Sequence, residues 1–138
     1  MKRKNTSSFN NVFASLAKIC SLFLQVDHIK LDVFLVSKQL VLACYKATKS
    51  FPSEEKFGII SQIRRAALSV HLNIAEGCSR KSLVERKRFF EIARGSAIEV
   101  DAALDVAIEL NYTDKEKLVE LGELLKRSFQ MISKMIST

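Results

Sequence analysis

Hydrophobic side chains recur every three or four residues along four stretches of the chain, which is the spacing of one face of an α-helix. These stretches cover about residues 31–49, 53–77, 82–110 and 113–136. Only four glycines and one proline interrupt the 138 residues, so few positions favour a break within a helix. The pattern therefore predicts an all-α fold, an antiparallel up-down-up-down four-helix bundle with a short N-terminal extension.

Local residues predict where these helices begin and end. Pro52 ends the first helix, because the residue before a proline is pushed out of the helical region, and Ser53 is expected to cap the second. Gly77 is expected to close the second helix in a left-handed conformation. Capping-box patterns over residues 82–85 and 113–116 predict the starts of the third and fourth helices.

Each predicted helix has one apolar face, which we expect to form the core. The expected core positions are Leu31, Phe34, Leu35, Leu42 and Tyr45 in the first helix; Phe57, Ile60, Ile63, Ala67, Val70 and Ile74 in the second; Leu83, Phe90, Ala93, Ala97, Val100, Leu104 and Ile108 in the third; and Leu118, Leu121, Leu125, Phe129, Ile132 and Ile136 in the fourth.

The third predicted helix carries a second apolar stripe, on the side away from Phe90 and Leu104. A bundle helix needs one stripe for its own core, so the second predicts contact with another subunit. Small residues in the middle of this helix would let another helix approach closely. The alternative is one broad stripe within a well-covered monomer. The expected interface residues are Phe89, Ile92, Gly95, Ser96, Ala103 and Val106.

Polar residues on the second predicted helix form a narrow column with apolar residues on both sides. Their spacings of three or four residues place them on one side of the helix. Such a column predicts a hydrogen-bonded seam, inside the bundle or between subunits, because buried polar groups normally pair with one another. The alternative is a recognition surface on which Arg65 contacts phosphate. The column consists of Gln62, Arg65, Ser69, Asn73 and Glu76.

We expect residues 1–26 to form the extension, partly helical, and residues 27–138 to form the bundle domain. MKRKN followed by VFASLAKICSLFLQV resembles a secretory signal, but Lys18 interrupts the apolar part and no A-x-A cleavage site follows. The apolar part is also shorter than the roughly 20 residues that span a bilayer. The sequence therefore favours a cytoplasmic protein with no membrane partner.

The three cysteines, Cys20, Cys44 and Cys78, are widely and irregularly spaced. This favours reduced thiols over a disulfide framework or a zinc site. A di-iron bundle would need paired Glu-x-x-His motifs, and neither His28 nor His71 is preceded by Glu at that spacing. We therefore expect neither a metal nor another cofactor.

The formal net charge of +7 is unevenly distributed: +6 over residues 1–50, +4 over 51–95 and −3 over 96–138. Such a basic region favours a polyanionic partner, or is simply a solvated surface. Few aromatic residues are available to stack on bases, which favours recognition of backbone or shape. The expected nucleic-acid-binding residues are Arg64, Arg65, Arg80, Lys81, Arg86, Lys87, Arg88 and Arg94.

Two segments carry a family resemblance: FPSEEKFGIISQIRRAALSVHLNIAEGCSRKS and RFFEIARGSAIEVDAAL. They resemble the signature of the 23S rRNA intervening-sequence proteins, also called four helix bundle proteins, over roughly residues 30–136. The resemblance implies a four-helix bundle that assembles into a ring-like homopentamer and has no enzymatic activity. It also implies kinship with the accessory variability proteins of diversity-generating retroelements, which bind nucleic acid and a reverse transcriptase.

Three functions remain open from the sequence. The first is a non-catalytic, oligomeric protein that binds RNA or DNA through basic residues of the second and third helices. The second is an accessory subunit for a protein partner, such as a reverse transcriptase or a ribosomal component. The third is a ribonuclease like those of the HEPN superfamily, because Arg64 and His71 share a helix face, although this loose spacing arises easily by chance.

Overall fold

The computed structural model describes residues 23–24 and 32–138. This part of the chain contains four α-helices and no β-strand. The helices are α1 (Asp32–Thr48), α2 (Ile59–Ser79), α3 (Leu83–Glu109) and α4 (Val119–Ser137). Short 3-10 turns, Ser53–Glu55 and Glu116–Leu118, lie in the α1–α2 and α3–α4 connections. The all-α prediction is confirmed.

The four helices pack in a closed cycle, each against its chain neighbours and α1 against α4. Short connections make consecutive helices antiparallel, so the arrangement is the predicted four-helix bundle. Within the described residues, no helix combines the length and apolar content that crossing a bilayer requires.

Aliphatic side chains from all four helices meet in one core. Leu40, Ile63, Ile74 and Ile132 are fully buried there, and burying each such side chain stabilises the fold by about 1.5–3 kcal/mol. Most of the expected core positions are buried or partly buried, which confirms the faces of the helices that periodicity predicts.

Five expected core residues are exposed instead, of which Tyr45 and Phe129 are the least exposed, at 36% and 38%. Phe57 is 90% exposed because it precedes Ile59, where α2 begins, and therefore does not follow that helix's apolar face. Leu83 is the first residue of α3 and lies at the end of the bundle. Leu42 lines an open groove between α1 and α4. Leu31 lies outside the described residues.

The start of α2 differs from the prediction that Ser53 caps it. Ser53 begins a separate 3-10 turn, and no side-chain hydrogen bond caps that turn. Glu55 takes the capping role, because its Oε2 accepts a hydrogen bond from the Ile59 backbone N–H at 3.1 Å. Its Oε1 accepts one from the Tyr112 hydroxyl at 3.1 Å. Glu55 therefore joins the start of α2 to the α3–α4 connection.

The prediction that Gly77 closes α2 in a left-handed conformation is wrong. The helix continues through Ser79, and no described glycine has a positive φ. Gly77 is buried where α2 crosses α3, and a Cβ atom built on it would lie 2.6 Å from Phe90 Cε1. Glycine is therefore required here for close helix packing.

The start of α3 follows the sequence signal, and a left-handed residue ends the helix. Ser82 is its N-cap, and the Ser82 hydroxyl accepts a hydrogen bond from the Glu85 backbone N–H at 3.4 Å. Asn111 follows the helix with φ of +60°. The backbone N–H of Tyr112 donates to the Ala107 carbonyl at 3.0 Å, which completes a Schellman-type end.

The cap before α4 is Asp114, whereas the capping box assigned this role to Thr113. Asp114 Oδ1 accepts a hydrogen bond from the Lys117 backbone N–H at 3.0 Å. That bond holds the pKa of Asp114 below its ordinary value. The capping-box pattern therefore predicted the correct turn, but the observed cap lies one residue later than the predicted one.

Candidate nucleic-acid interface

The middle of the polar column is a hydrogen-bonded contact between α2 and α3. The Asn73 side-chain amide donates to the Ser69 carbonyl at 2.8 Å and to the Ser69 hydroxyl at 3.0 Å. The Ser96 hydroxyl on α3 donates to the Ser69 hydroxyl at 2.7 Å. Two members of the predicted column, Ser69 and Asn73, therefore form a hydrogen-bonded contact with Ser96 within a single chain.

The ends of the column are exposed. Gln62 and Arg65 face solvent, and within the described residues neither side chain has a hydrogen bond or an ion pair. Glu76 is also exposed, and its carboxylate pairs with Arg80 one turn further along the chain. The seam therefore covers only the middle of the column, and Arg65 remains available to a partner.

Arg64, expected to bind nucleic acid, instead contacts the C-terminal end of α1. Its Nε donates to the Thr48 hydroxyl at 2.9 Å, and its Nη2 donates to the Tyr45 carbonyl at 3.4 Å. The guanidinium also lies 4.6 Å from the centre of the Tyr45 ring. A cation at this position interacts favourably with the negative end of the α1 dipole, so Arg64 has a structural role.

His71 also packs against α1, nearer the start of that helix. Its ring stacks on Phe34 with 4.3 Å between centroids, and its Nδ1 lies 2.7 Å from the Ser37 hydroxyl oxygen. Arg64 and His71 thus share a face of α2, as the ribonuclease hypothesis requires, and both contact α1. Their side chains join two helices of the bundle.

Three cations lie where α2 turns into α3, with Lys81 exposed and Arg86 and Lys87 half-buried. Lys81 lies in the connection, and Arg86 and Lys87 lie in the first turns of α3. Among the described residues none of the three forms an ion pair. We call these three residues the basic tip. Leu83 and Val84 lie beside it and are exposed, a feature the sequence analysis did not identify because helical spacing assigned Leu83 to the core.

The remaining predicted cations do not join the basic tip. Arg80 pairs with Glu76, and its guanidinium lies 5.0 Å from the centre of the Phe89 ring. Arg88 is exposed and Arg94 is half-buried, and both lie further along α3 from the α2–α3 connection. The eight residues predicted to bind nucleic acid therefore belong to several surfaces.

The six residues predicted to form a subunit interface do not all lie on one exposed surface either. Ile92 and Val106 are exposed, and Gly95 has open space around it, since a Cβ built there would meet nothing within 4 Å. Phe89 and Ala103 are half-buried within the chain. Ser96 is only 6% exposed because it faces Ser69, so it lies outside any surface offered to another subunit.

The cysteines in the described residues are both free. Burial raises the pKa of Cys44 to about 12. Burial also raises the pKa of Cys78, although the nearby Arg86 opposes the shift. No group of three or more His, Cys, Asp or Glu side chains in this part of the chain is placed to hold a metal ion.

Comparison with solved structures identifies a similar fold in a crystal structure from Bacteroides thetaiotaomicron VPI-5482, described as a protein with unknown function from the S23 ribosomal protein family. The two chains are 21% identical with a TM-score of 0.68, and the match covers 77% of this chain and 99% of that chain. A comparison with curated proteins finds no match. The profile of the family described as 23S rRNA-intervening sequence protein matches residues 29–135. This chain belongs to the 23S rRNA-intervening sequence protein family.

Proposed function

We propose that this protein is a non-catalytic, self-associating four-helix bundle that binds the phosphate backbone of RNA or DNA. The observation that carries the proposal is the basic tip, whose three cations have no acidic partner among the described residues. Unpaired cations release counterions from nucleic acid when they bind phosphate, which favours association.

A second basic part of the sequence joins the bundle at the same end. Helix α1 is antiparallel to α2, so its first residue, Asp32, lies at the end where α2 finishes. Residues 1–31 contain five Lys or Arg and one acid. The sequence before α1 is therefore basic as well, which supports a polyanionic partner.

The absence of catalysis is part of the proposal. Arg64 and His71 hold α2 against α1, which supports a structural role for both. We expect the wild-type protein to leave a bound RNA uncut. We also expect His71→Ala to weaken the fold without changing an RNA incubated with it, as followed on a denaturing gel. RNA cleavage that the His71→Ala variant loses would contradict the non-catalytic proposal.

Self-association is proposed from the exposed apolar residues of α3, including Ile92 and Val106. The number five comes from the family resemblance alone. A mass near the 15.6 kDa of one chain at micromolar concentration, measured by light scattering, would contradict self-association.

The binding proposal is tested by reversing charge at the basic tip. We expect Lys81→Glu/Lys87→Glu to weaken binding to a labelled RNA stem-loop and to a DNA duplex by at least about tenfold at low salt. The plot of log affinity against log salt should also become flatter by about two units, one for each phosphate that the variant no longer neutralises. Fluorescence anisotropy over a salt series measures both quantities.

The matched control is Lys49→Glu/Lys115→Glu, which makes the same change in charge at the opposite end of the bundle. It should keep most of the affinity. Equal losses in the two variants would show that net charge, rather than the basic tip, drives binding. A wild-type protein that binds neither probe at low salt would overturn the binding proposal.

That last result would favour the second candidate, an accessory subunit for a protein partner such as a reverse transcriptase or a ribosomal component. The specific observation in its favour is the exposed pair Leu83 and Val84. Adjacent exposed aliphatic side chains beside unpaired cations suit an acidic protein surface with an apolar centre. Retention of such a partner by the wild type and its loss in Leu83→Ser/Val84→Ser would test this candidate.

A further inference from the structure

The groove between α1 and α4 is an apolar surface that the bundle leaves uncovered. It has a volume of about 520 Å³. Three leucines from the start of α4 form its floor and are buried, whereas Leu42 on the α1 side is 61% exposed. Further apolar side chains can therefore be removed from water against this groove. The floor residues are Leu118, Leu121 and Leu124.

The α1 side of the groove also offers little steric resistance to another helix. Ala43 and Ala47 line it one helical turn apart, and both are half-buried. The distance between two packed helices depends on the side chains at their contact, and small side chains shorten it. The groove therefore has the shape and the apolar lining that an added amphipathic helix needs.

The sequence before α1 contains such an amphipathic segment, over residues 9–20. Its apolar side chains recur every three or four residues, whereas Asn11 and Lys18 fall on the opposite side at 100° per residue. So short a helix is marginal in water unless its apolar face packs against something. The apolar residues are Phe9, Val12, Phe13, Leu16, Ile19 and Cys20.

The connection to α1 is long enough to bring this segment onto the groove. Residues 21–31 span up to about 36 Å when extended, and Gln39, where the groove begins on α1, is only about 10 Å along the helix from Asp32. A helix over residues 9–20 would be about 18 Å long, which suits a groove that reaches from Gln39 to Ser50. A smaller groove between α3 and α4 is not bordered by α1.

We infer that residues 9–20 pack as a fifth helix in the α1–α4 groove of their own chain, antiparallel to α1. Phe13 and Leu16 then lie over the leucine floor, and Leu42 is covered. The groove is thereby closed to other partners. This contact goes beyond the proposed function, and it depends neither on nucleic-acid binding nor on self-association.

The charges at the two ends of the bundle favour the antiparallel direction. Residues 46–56 and 109–123, at the end where α1 finishes, contain five basic and seven acidic side chains. Residues 76–88, at the opposite end, contain five basic and two acidic ones. The cations Lys2, Arg3 and Lys4 precede the segment. Antiparallel packing brings them to the acidic end, whereas parallel packing would bring them to the basic one.

Hydrogen–deuterium exchange of the full chain tests the contact. We expect the amides of residues 9–20 to exchange at least about tenfold more slowly than in an unstructured peptide, because the packed helix protects them. Leu42→Asp and Phe13→Asp should each remove this protection, since each places a carboxylate in the apolar contact. Leu42 is exposed on the bundle itself, so its replacement leaves the core of the four helices intact.

Two control variants introduce the same charge away from the contact. Leu72→Asp replaces a leucine of α2 that is 58% exposed, and Asn11→Asp lies on the polar side of the segment. Both should keep the protection. Wild-type amides that exchange as fast as an unstructured peptide, or protection that Leu42→Asp leaves unchanged, would overturn the contact. Protection lost on dilution would show that the segment packs on another copy, which also overturns a contact within one chain.

Discussion

Replacing Gly77 by Ala is expected to lower the free energy of unfolding by about 1–3 kcal/mol. The added Cβ would lie 2.6 Å from Phe90 Cε1 and 3.1 Å from Phe89 Cβ, closer than such atoms pack. Phe90 is buried in the core and its ring has little room to move. The helices α2 and α3 would therefore separate locally. Urea unfolding followed by circular dichroism measures the loss.

Gly122→Ala is the matched control for this prediction. Gly122 also lies within a helix, α4, but a Cβ built on it would meet nothing within 4 Å. Alanine is the better helix former, so this variant should gain about 0.5–1 kcal/mol. Both variants are compared at one protein concentration, because self-association changes apparent stability. A gain in stability for both would show that α2 and α3 are not held closely at Gly77.

The second large effect is expected at Asn73. Asn73→Leu removes two hydrogen bonds to Ser69, at 2.8 and 3.0 Å, in the half-buried contact between α2 and α3. Losing both is expected to lower the free energy of unfolding by about 1–3 kcal/mol, since each bond contributes about 0.5–1.5 kcal/mol. The same urea unfolding experiment measures it.

Glu76→Leu, one turn away on the same column, should cost far less. The Glu76 side chain is 47% exposed, and its pair with Arg80 joins two solvated side chains on one helix. Exposed pairs of this spacing contribute about 0.3–0.5 kcal/mol. If Asn73→Leu and Glu76→Leu lowered the free energy of unfolding equally, the whole column would be buried, as it would be in a seam between subunits.

The sequence determined the fold class and most of the core. Helical periodicity depends on residues three and four apart, so it identified buried positions such as Ile63, Ile74 and Val100 without knowledge of their partners. Capping residues also predicted the start of α3 at Ser82 and the turn before α4 from neighbouring residues alone. These features arise from neighbours in sequence, which a sequence displays directly.

The tertiary structure alone decided which polar residues have partners. Arg64, Arg65 and Lys87 are all basic, yet Arg64 donates hydrogen bonds to α1, whereas the side chains of Arg65 and Lys87 have no hydrogen bond or ion pair among the described residues. That difference depends on the distance from α2 to Thr48, sixteen residues earlier in the chain. Periodicity on one helix contains no information about such distances.

Gly77 and Gly95 also differ in a way that only the tertiary structure decides. In the sequence both are glycines with polar residues nearby, and the position of Gly77 predicted the end of the second helix. In the fold, Gly77 is pressed against Phe90, whereas Gly95 faces open space. The sequence by itself determined that four amphipathic helices form a bundle. The approach of the helices to one another determined that Gly77 closes a contact within the chain and that Gly95 remains exposed, because both outcomes depend on atoms brought together only by folding.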